Sequence, residues 1–266
     1  MEDWLLEVKK SWNKTSDSQW YQSLRTEEKI KALAENPKRA FHPAVYDLIQ
    51  KYIPELKGKK VLLPSSGDNH AAFAFALMGA QVTSADISER QLENAAVIAK
   101  ELGLSIEFVC ENTMTLEQIE DEQYDLVYTS NGTHSWIPDL EGMYGNISRV
   151  LKPGGYSMMF DMHPFQRPFT GEAWKEPQIL KSYHDTLPSC HWRLQDLINA
   201  KVKAGLFISE MAELPAVENS FWFAYEELIK QDEESLKDIN NWEKNPMAAL
   251  PAWVTIVSRK ENKGTE

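Results

Sequence analysis

Between residues 59 and 160, short apolar runs alternate with stretches of helical period. Val61-Leu62-Leu63, Gln81 to Ala85, Ile106 to Val109, Tyr124 to Thr129 and Tyr156 to Phe160 read as strands, each short and bounded by turn residues. Ala71 to Met78, Ser88 to Leu102 and Ile137 to Leu151 read as helices, with Ser88 as an N-cap. Their stops are Gly79, Gly103 and Lys152-Pro153-Gly154-Gly155. Thr115 to Ile119 reads as a short helical turn. Strands that alternate with helices predict a parallel sheet covered on both faces. Such sheets bind ligands at the carboxyl ends of their strands, near the point where strand order reverses. The loops at 64–70, 86–91, 111–114 and 130–136 are therefore the candidate site.

The flanks are less regular. Trp4, Leu5, Val8 and Trp12 have helical spacing, as do Tyr46, Ile49, Ile53 and Leu56 less strictly, while Pro37 and Pro43 divide the segment. Residues 161–190 are rich in Pro, His and aromatics without a period. Trp192 to Lys203 reads as a helix, Leu206 to Met211 and Trp253 to Ser258 as strands, and 214–250 as a polar, partly helical insertion. A segment of that length between two strands is usually functional or disordered. The expected organisation is an N-terminal helical cap over 1–58, an α/β domain over 59–258 with insertions at 164–190 and 214–250, and a tail over 259–266, frayed from Glu261.

Composition narrows the function classes. With 266 residues, 42% hydrophobic and 26% charged, the chain can bury one large core. A formal net charge of −12 disfavours a nucleic-acid-binding face, and the basic runs at Lys57-Gly58-Lys59-Lys60 and Lys201-Val202-Lys203 are short. Cys110 and Cys190 form no CxxC or Cys/His cluster, so neither a metal site nor a disulfide framework is expected. The start Met1-Glu2-Asp3-Trp4 is no signal peptide, and no apolar run reaches membrane length. A soluble cytoplasmic protein is expected.

Four stretches carry the chemistry. Val61-Leu62-Leu63-Pro64-Ser65-Ser66-Gly67-Asp68-Asn69 is a strand followed by a loop of small and turn-forming residues. Val82-Thr83-Ser84-Ala85-Asp86-Ile87-Ser88 ends a strand in an acid and opens a helix that carries Gln91. Phe108-Val109-Cys110-Glu111-Asn112-Thr113-Met114 ends the third strand. Tyr124-Asp125-Leu126-Val127-Tyr128-Thr129-Ser130-Asn131-Gly132 ends the fourth, followed by His134, Ser135 and Trp136. Arg149-Val150-Leu151-Lys152-Pro153-Gly154-Gly155 then closes a helix. Together these resemble the class I S-adenosylmethionine (SAM)-dependent methyltransferases of small-molecule type. The family's VLDxGxGxG loop is altered: Leu63 replaces its acid, Ser65 and Asn69 replace two glycines, and Gly67 is kept. Ser is small, and Asn tolerates left-handed backbone, so the loop can keep its shape.

The resemblance implies a Rossmann-like, doubly wound, seven-stranded α/β sheet with the last strand antiparallel. It implies SAM as cofactor, held by Pro64, Ser65, Ser66 and Gly67 of the loop. Asp86, with Ile87 and Gln91 beside it, would meet the ribose hydroxyls, and Asn112, Thr113 and Met114 the adenine edge. Ser130, Asn131 and Gly132 would lie beside the transferable methyl group. His134 and His163 are candidate general bases, each alone in its motif. Phe165, Phe169, Trp174, Phe221, Trp222, Phe223 and Tyr225 of the insertions could form a lid or an apolar acceptor pocket. The expected function is methyl transfer to a small-molecule acceptor. The alternative is a non-catalytic SAM-binding regulatory protein of the same fold, and a Rossmann oxidoreductase is disfavoured because GxGxxG is missing.

Overall fold

The computed structural model describes residues 2–187 and 189–262. Seven strands form one sheet: β1 (Lys60–Pro64), β2 (Gln81–Asp86), β3 (Ile106–Cys110), β4 (Tyr124–Ser130), β5 (Leu151–Met162), β6 (Leu206–Leu214) and β7 (Trp253–Lys260). Their spatial order is β3-β2-β1-β4-β5-β7-β6. Neighbours from β3 to β5 pair in parallel, and β7 runs antiparallel between β5 and β6. This is the doubly wound sheet that the alternation predicts, and order reverses between β1 and β4.

The central strands are continuously apolar because both faces are covered. Successive side chains point to opposite faces. Val61 and Leu63 of β1 join one core with Leu126, Tyr128 and Met158, under α4 (Pro43–Tyr52), α5 (His70–Leu77) and α6 (Glu89–Glu101). Leu62 joins the other with Val127 and Met159, under α7 (Leu140–Val150) and α8 (Leu194–Lys203). The N-terminal segment folds as α1 (Glu2–Thr15), α2 (Gln19–Leu24) and α3 (Glu27–Glu35). The two insertions pack on each other around a third small core of Ala173, Ala216, Trp222, Ile239 and Met247, where Trp222 Nε1 donates to Asn240 Oδ1 at 2.7 Å.

Four boundaries differ from the sequence expectation. Residues 115–119 form turns and no helix, because Leu116 adopts φ +47°. The Glu111 carboxylate instead accepts the Gln118 amide at 2.9 Å. Helix α7 begins at Leu140 and not Ile137, since the Asp139 side chain caps it by accepting from the Gly142 amide at 2.8 Å. The Lys152-Pro153-Gly154-Gly155 stretch lies inside β5 as an irregularity in its pairing with β4. A Cβ on Gly155 would sit 2.9 Å from the Lys152 carbonyl and 3.1 Å from that of Tyr124, so glycine is needed there. Strand β7 continues to Lys260, into the stretch expected as a tail, and residues 263–266 of that tail lie outside the described residues.

Candidate cofactor and acceptor site

The loop after β1 stands at the reversal point. Pro64 is buried as the last residue of β1. Ser65 and Gly67 both have left-handed backbone, at φ +52° and +50°. Ser65 Oγ is 2.6 Å from Thr113 Oγ1, which ties this loop to the one after β3. Ser66 Oγ is 2.6 Å from Ser84 Oγ on β2. Asn69 caps α5 through Ala71 N and donates to Ser130 Oγ at 2.9 Å, reaching the end of β4. Ser65 and Asn69 thus take up hydrogen bonding that fixes the loop.

Asp86 ends β2 and is buried. One carboxylate oxygen accepts from Ser88 N at 2.8 Å, as Ser88 caps α6 through Gln91 N at 3.2 Å. Burial pushes Asp86 up to about 6, against the pull of the Ser88 and Gly67 amides. A carboxylate has about four acceptor positions, so Asp86 can still accept from hydroxyl groups beside these amides. Ile87 is half-buried beside it. Gln91 is buried over the loop: a Cβ built on Gly67 would come 2.7 Å from Gln91 Oε1, which also accepts from Asp68 N at 3.3 Å.

After β3, Asn112 Oδ1 accepts from Met114 N at 3.0 Å. The two groups expected on an adenine edge therefore satisfy each other here, and Thr113 and Met114 are buried. After β4, Asn131 and Gly132 have φ +59° and +89°, turning the chain into a 3-10 turn over Thr133–Trp136. Ser130 is buried and bonded as above.

Neither candidate base has a free ring nitrogen. His134 is buried; its Nδ1 lies 2.8 Å from Asp161 Oδ2 and its Nε2 2.7 Å from the Tyr144 hydroxyl. Burial opposes the charge on Asp161, but the His134 bonds, with Arg167 nearby, hold its carboxyl below the usual range. His163 is fully buried; its Nδ1 accepts from Phe165 N at 3.1 Å and its Nε2 lies 2.9 Å from Glu213 Oε1. Burial lowers its pKa despite Glu213.

The N-terminal helices cover the loop after β1, using residues the motifs did not mark. Arg25 pairs with buried Asp68. Tyr21 is pushed up to about 12 by burial and by the nearby Asp68 and Asp86 carboxylates. Ser88 Oγ donates to Asn13 Oδ1 at 2.6 Å, and Trp12 packs edge-on against Trp136 at 5.1 Å. Of these N-terminal residues the sequence marks only Trp12, by its helical spacing; Tyr21 and Arg25 carry no such mark. A separate cavity of about 290 Å³, lined by Tyr52, Asp125, Lys152 and Tyr156, opens at the opposite, amino end of the strands, away from these loops.

The comparisons with known proteins agree with this architecture. A methyltransferase-domain family matches residues 63–159. A ubiquinone biosynthesis O-methyltransferase of Idiomarina loihiensis is 32% identical over 119 residues, 45% of this chain and 49% of that enzyme, so the chain spans about half the length of such curated relatives. A SAM-dependent methyltransferase of Mesorhizobium loti superposes with TM-score 0.59 at 18% identity, covering 82% of this chain and 98% of that one. The geranyl diphosphate C-methyltransferase of Streptomyces coelicolor A3(2) does so with TM-score 0.61 at 12% identity, covering 97% of both. At these identities the structures share the fold. The fold is a Rossmann-like doubly wound sheet with these loops at its reversal point. Residues 63–159 match a methyltransferase domain. Among the described residues no group of three or more His, Cys, Asp or Glu could hold a metal ion, and no helix is long and apolar enough to cross a membrane.

Proposed function

We propose that this protein transfers a methyl group from SAM to a small-molecule acceptor. The observation that carries the proposal is Asp86: a buried carboxylate at the end of β2, held by the backbone amides of Ser88 and of Gly67 in the left-handed loop, inside a methyltransferase domain. In this reading Pro64 to Gly67 approach the cofactor with backbone, Asp86, Ile87 and Gln91 hold the ribose, Asn112 to Met114 flank the adenine, and Ser130 to Gly132 lie beside the sulfur. Bound SAM supplies an electrophilic methyl group on a sulfonium. The chain contributes orientation and exclusion of water, which account for much of the rate of such a displacement. His134 and His163, with both ring nitrogens engaged, hold the loops after β4 and β5 in place. A nucleophile with a proton to lose passes it to solvent unless one of these bonds opens. The insertions at 164–190 and 214–250 close the acceptor side, and the two free cysteines fit a reducing, cytoplasmic setting.

Calorimetric titration with SAM tests the cofactor, and transfer of label from [methyl-³H]SAM to a broad small-molecule panel tests the reaction. Binding weaker than about millimolar, some 4 kcal/mol, sinks the proposal. The Asn112–Met114 self-pairing favours the second reading, a SAM-binding protein without turnover. Tight binding of the demethylated cofactor with no label transfer would select it.

A further inference from the structure

Arg167 follows the turn Pro164–Gln166 that leaves β5, beside Asp161 and His134. Its side chain is only 21% exposed, yet its nearest acid oxygen, Asp161 Oδ1, is 3.8 Å away, beyond hydrogen-bond distance. That carboxylate is already committed. Its Oδ2 accepts from the His134 amide and Nδ1, and its Oδ1 from Met162 N at 2.7 Å. Among the described residues the Arg167 guanidinium donates no hydrogen bond, although it carries five N–H donors. Close by, His191 Nδ1 is buried with no partner. Burial, and then Arg167 and Lys181, hold that imidazole down at about 4, so it is neutral. A largely buried guanidinium without an acceptor is costly unless something else supplies one.

We propose that Arg167 is the acceptor-recognition residue and that the methyl acceptor carries a carboxylate, which the guanidinium receives in a bidentate grip. The inference rests on the methyl-transfer reading above and adds the substrate class. A planar carboxylate matches the guanidinium fork. The gap beside Arg167, bordered by Ser135, Cys190 and Trp192, is about 10 Å³, room for about one water-sized group, so a carboxylate oxygen can enter it while the rest of the acceptor stays outside. Arg167 stands beyond the carboxyl end of β5, next to the loop after β4.

The test is binding of acetate, benzoate and 3-phenylpropionate, each against its neutral amide, to the full chain in the presence of demethylated cofactor, read by calorimetry. The wild type is expected to bind at least one acid about tenfold more tightly than its amide, a preference of one charge-assisted contact. Arg167→Gln abolishes that preference, Arg167→Lys keeps part of it, and neither changes SAM affinity by more than about twofold. A loss of fold alone would weaken acids, amides and SAM together. Equal binding of acids and amides by the wild type, or a preference that survives in R167Q, overturns the assignment. SAM binding is measured separately on each protein, so failure of the methyl-transfer reading and failure of the carboxylate assignment give different results.

Discussion

The Nε2 atom of His134 lies 2.7 Å from the hydroxyl of Tyr144, and the two rings stack with an interplanar angle of 25°. Asp161 holds the other side of the ring at Nδ1, and the Tyr144 hydroxyl also lies 3.5 Å from Met159 Sδ. The histidine nearest the expected methyl position is thereby a doubly bonded strut between the end of β5 and α7. Its role is to fix where the loop after β4 runs.

Tyr144→Phe removes the hydroxyl and keeps the ring. Nε2 is left buried and unpaired, which costs about 1–3 kcal/mol. Urea unfolding should show that loss, with SAM affinity unchanged because the tyrosine lies beneath the site. A variant as stable as the parent would mean that His134 finds another partner.

Asp86 makes cofactor binding pH-dependent. Its folded pKa is raised to about 6 by burial, above the ordinary value of about 3.9. For the free protein the sign is clear. This group's contribution to stability is fully present below about 4 and lost as pH rises through 6. Ribose hydroxyls donate to the ionised carboxylate, so SAM binding favours ionisation. Affinity should be level above pH 6 and fall below it, by up to about tenfold per pH unit. Titrations from pH 5 to 8 would show the bend, and Asp86→Asn should flatten it. A level wild-type profile would remove Asp86 from the ribose site.

The sheet was legible because each central strand is a short apolar run closed by turn residues, and because Val61-Leu62-Leu63 must be covered on both faces. The placement of Asp86 was legible for the same reason: it is the acid that ends a buried strand just before a helix cap. The turn at 115–119 was not, since its polar residues fit a helix equally well, and only the tertiary bonds of Glu111 and the left-handed Leu116 exclude one. The partners of His134 and His163 were out of reach as well. Tyr144 and Glu213 are ten and fifty residues away, on elements that meet only through the fold. Arg167 shows the same limit, because what singles it out is the acceptor it fails to find.

Two separate constraints act on Gly67 in the loop after β1. Its φ of +50° costs a side chain about 1–2 kcal/mol. A Cβ would also stand 2.7 Å from Gln91 Oε1 and 3.1 Å from Gln91 Cβ. Gly67→Ala should lose about 1–2 kcal/mol or more in urea unfolding and weaken SAM binding. Adding Gln91→Ala should recover the steric part and leave the backbone strain. Full recovery in the double variant would mean that the left-handed conformation is not required.

Lys201 has no acidic partner among the described residues. It is fully buried on α8. Its Nζ meets the hydroxyls of Ser157 at 3.1 Å and Ser258 at 3.3 Å and lies 4.3 Å from the Tyr144 ring centroid. Burial lowers its pKa to about 7, against about 10.4 in an unfolded chain. The unfolded state therefore binds more protons between pH 7 and 10, and stability from this group rises with pH across that window. Below 7 the lysine enters the core at its full desolvation cost. Lys201→Met keeps the length of the side chain and removes the charge, while Ser258 Oγ keeps the Ser157 carbonyl at 3.3 Å. The variant should be more stable than the parent near pH 7, by about 1–4 kcal/mol. The difference should narrow as pH approaches 10. Parallel urea profiles at pH 7 and 9.5 would show instead that the lysine keeps an ordinary pKa through its ring and hydroxyl contacts.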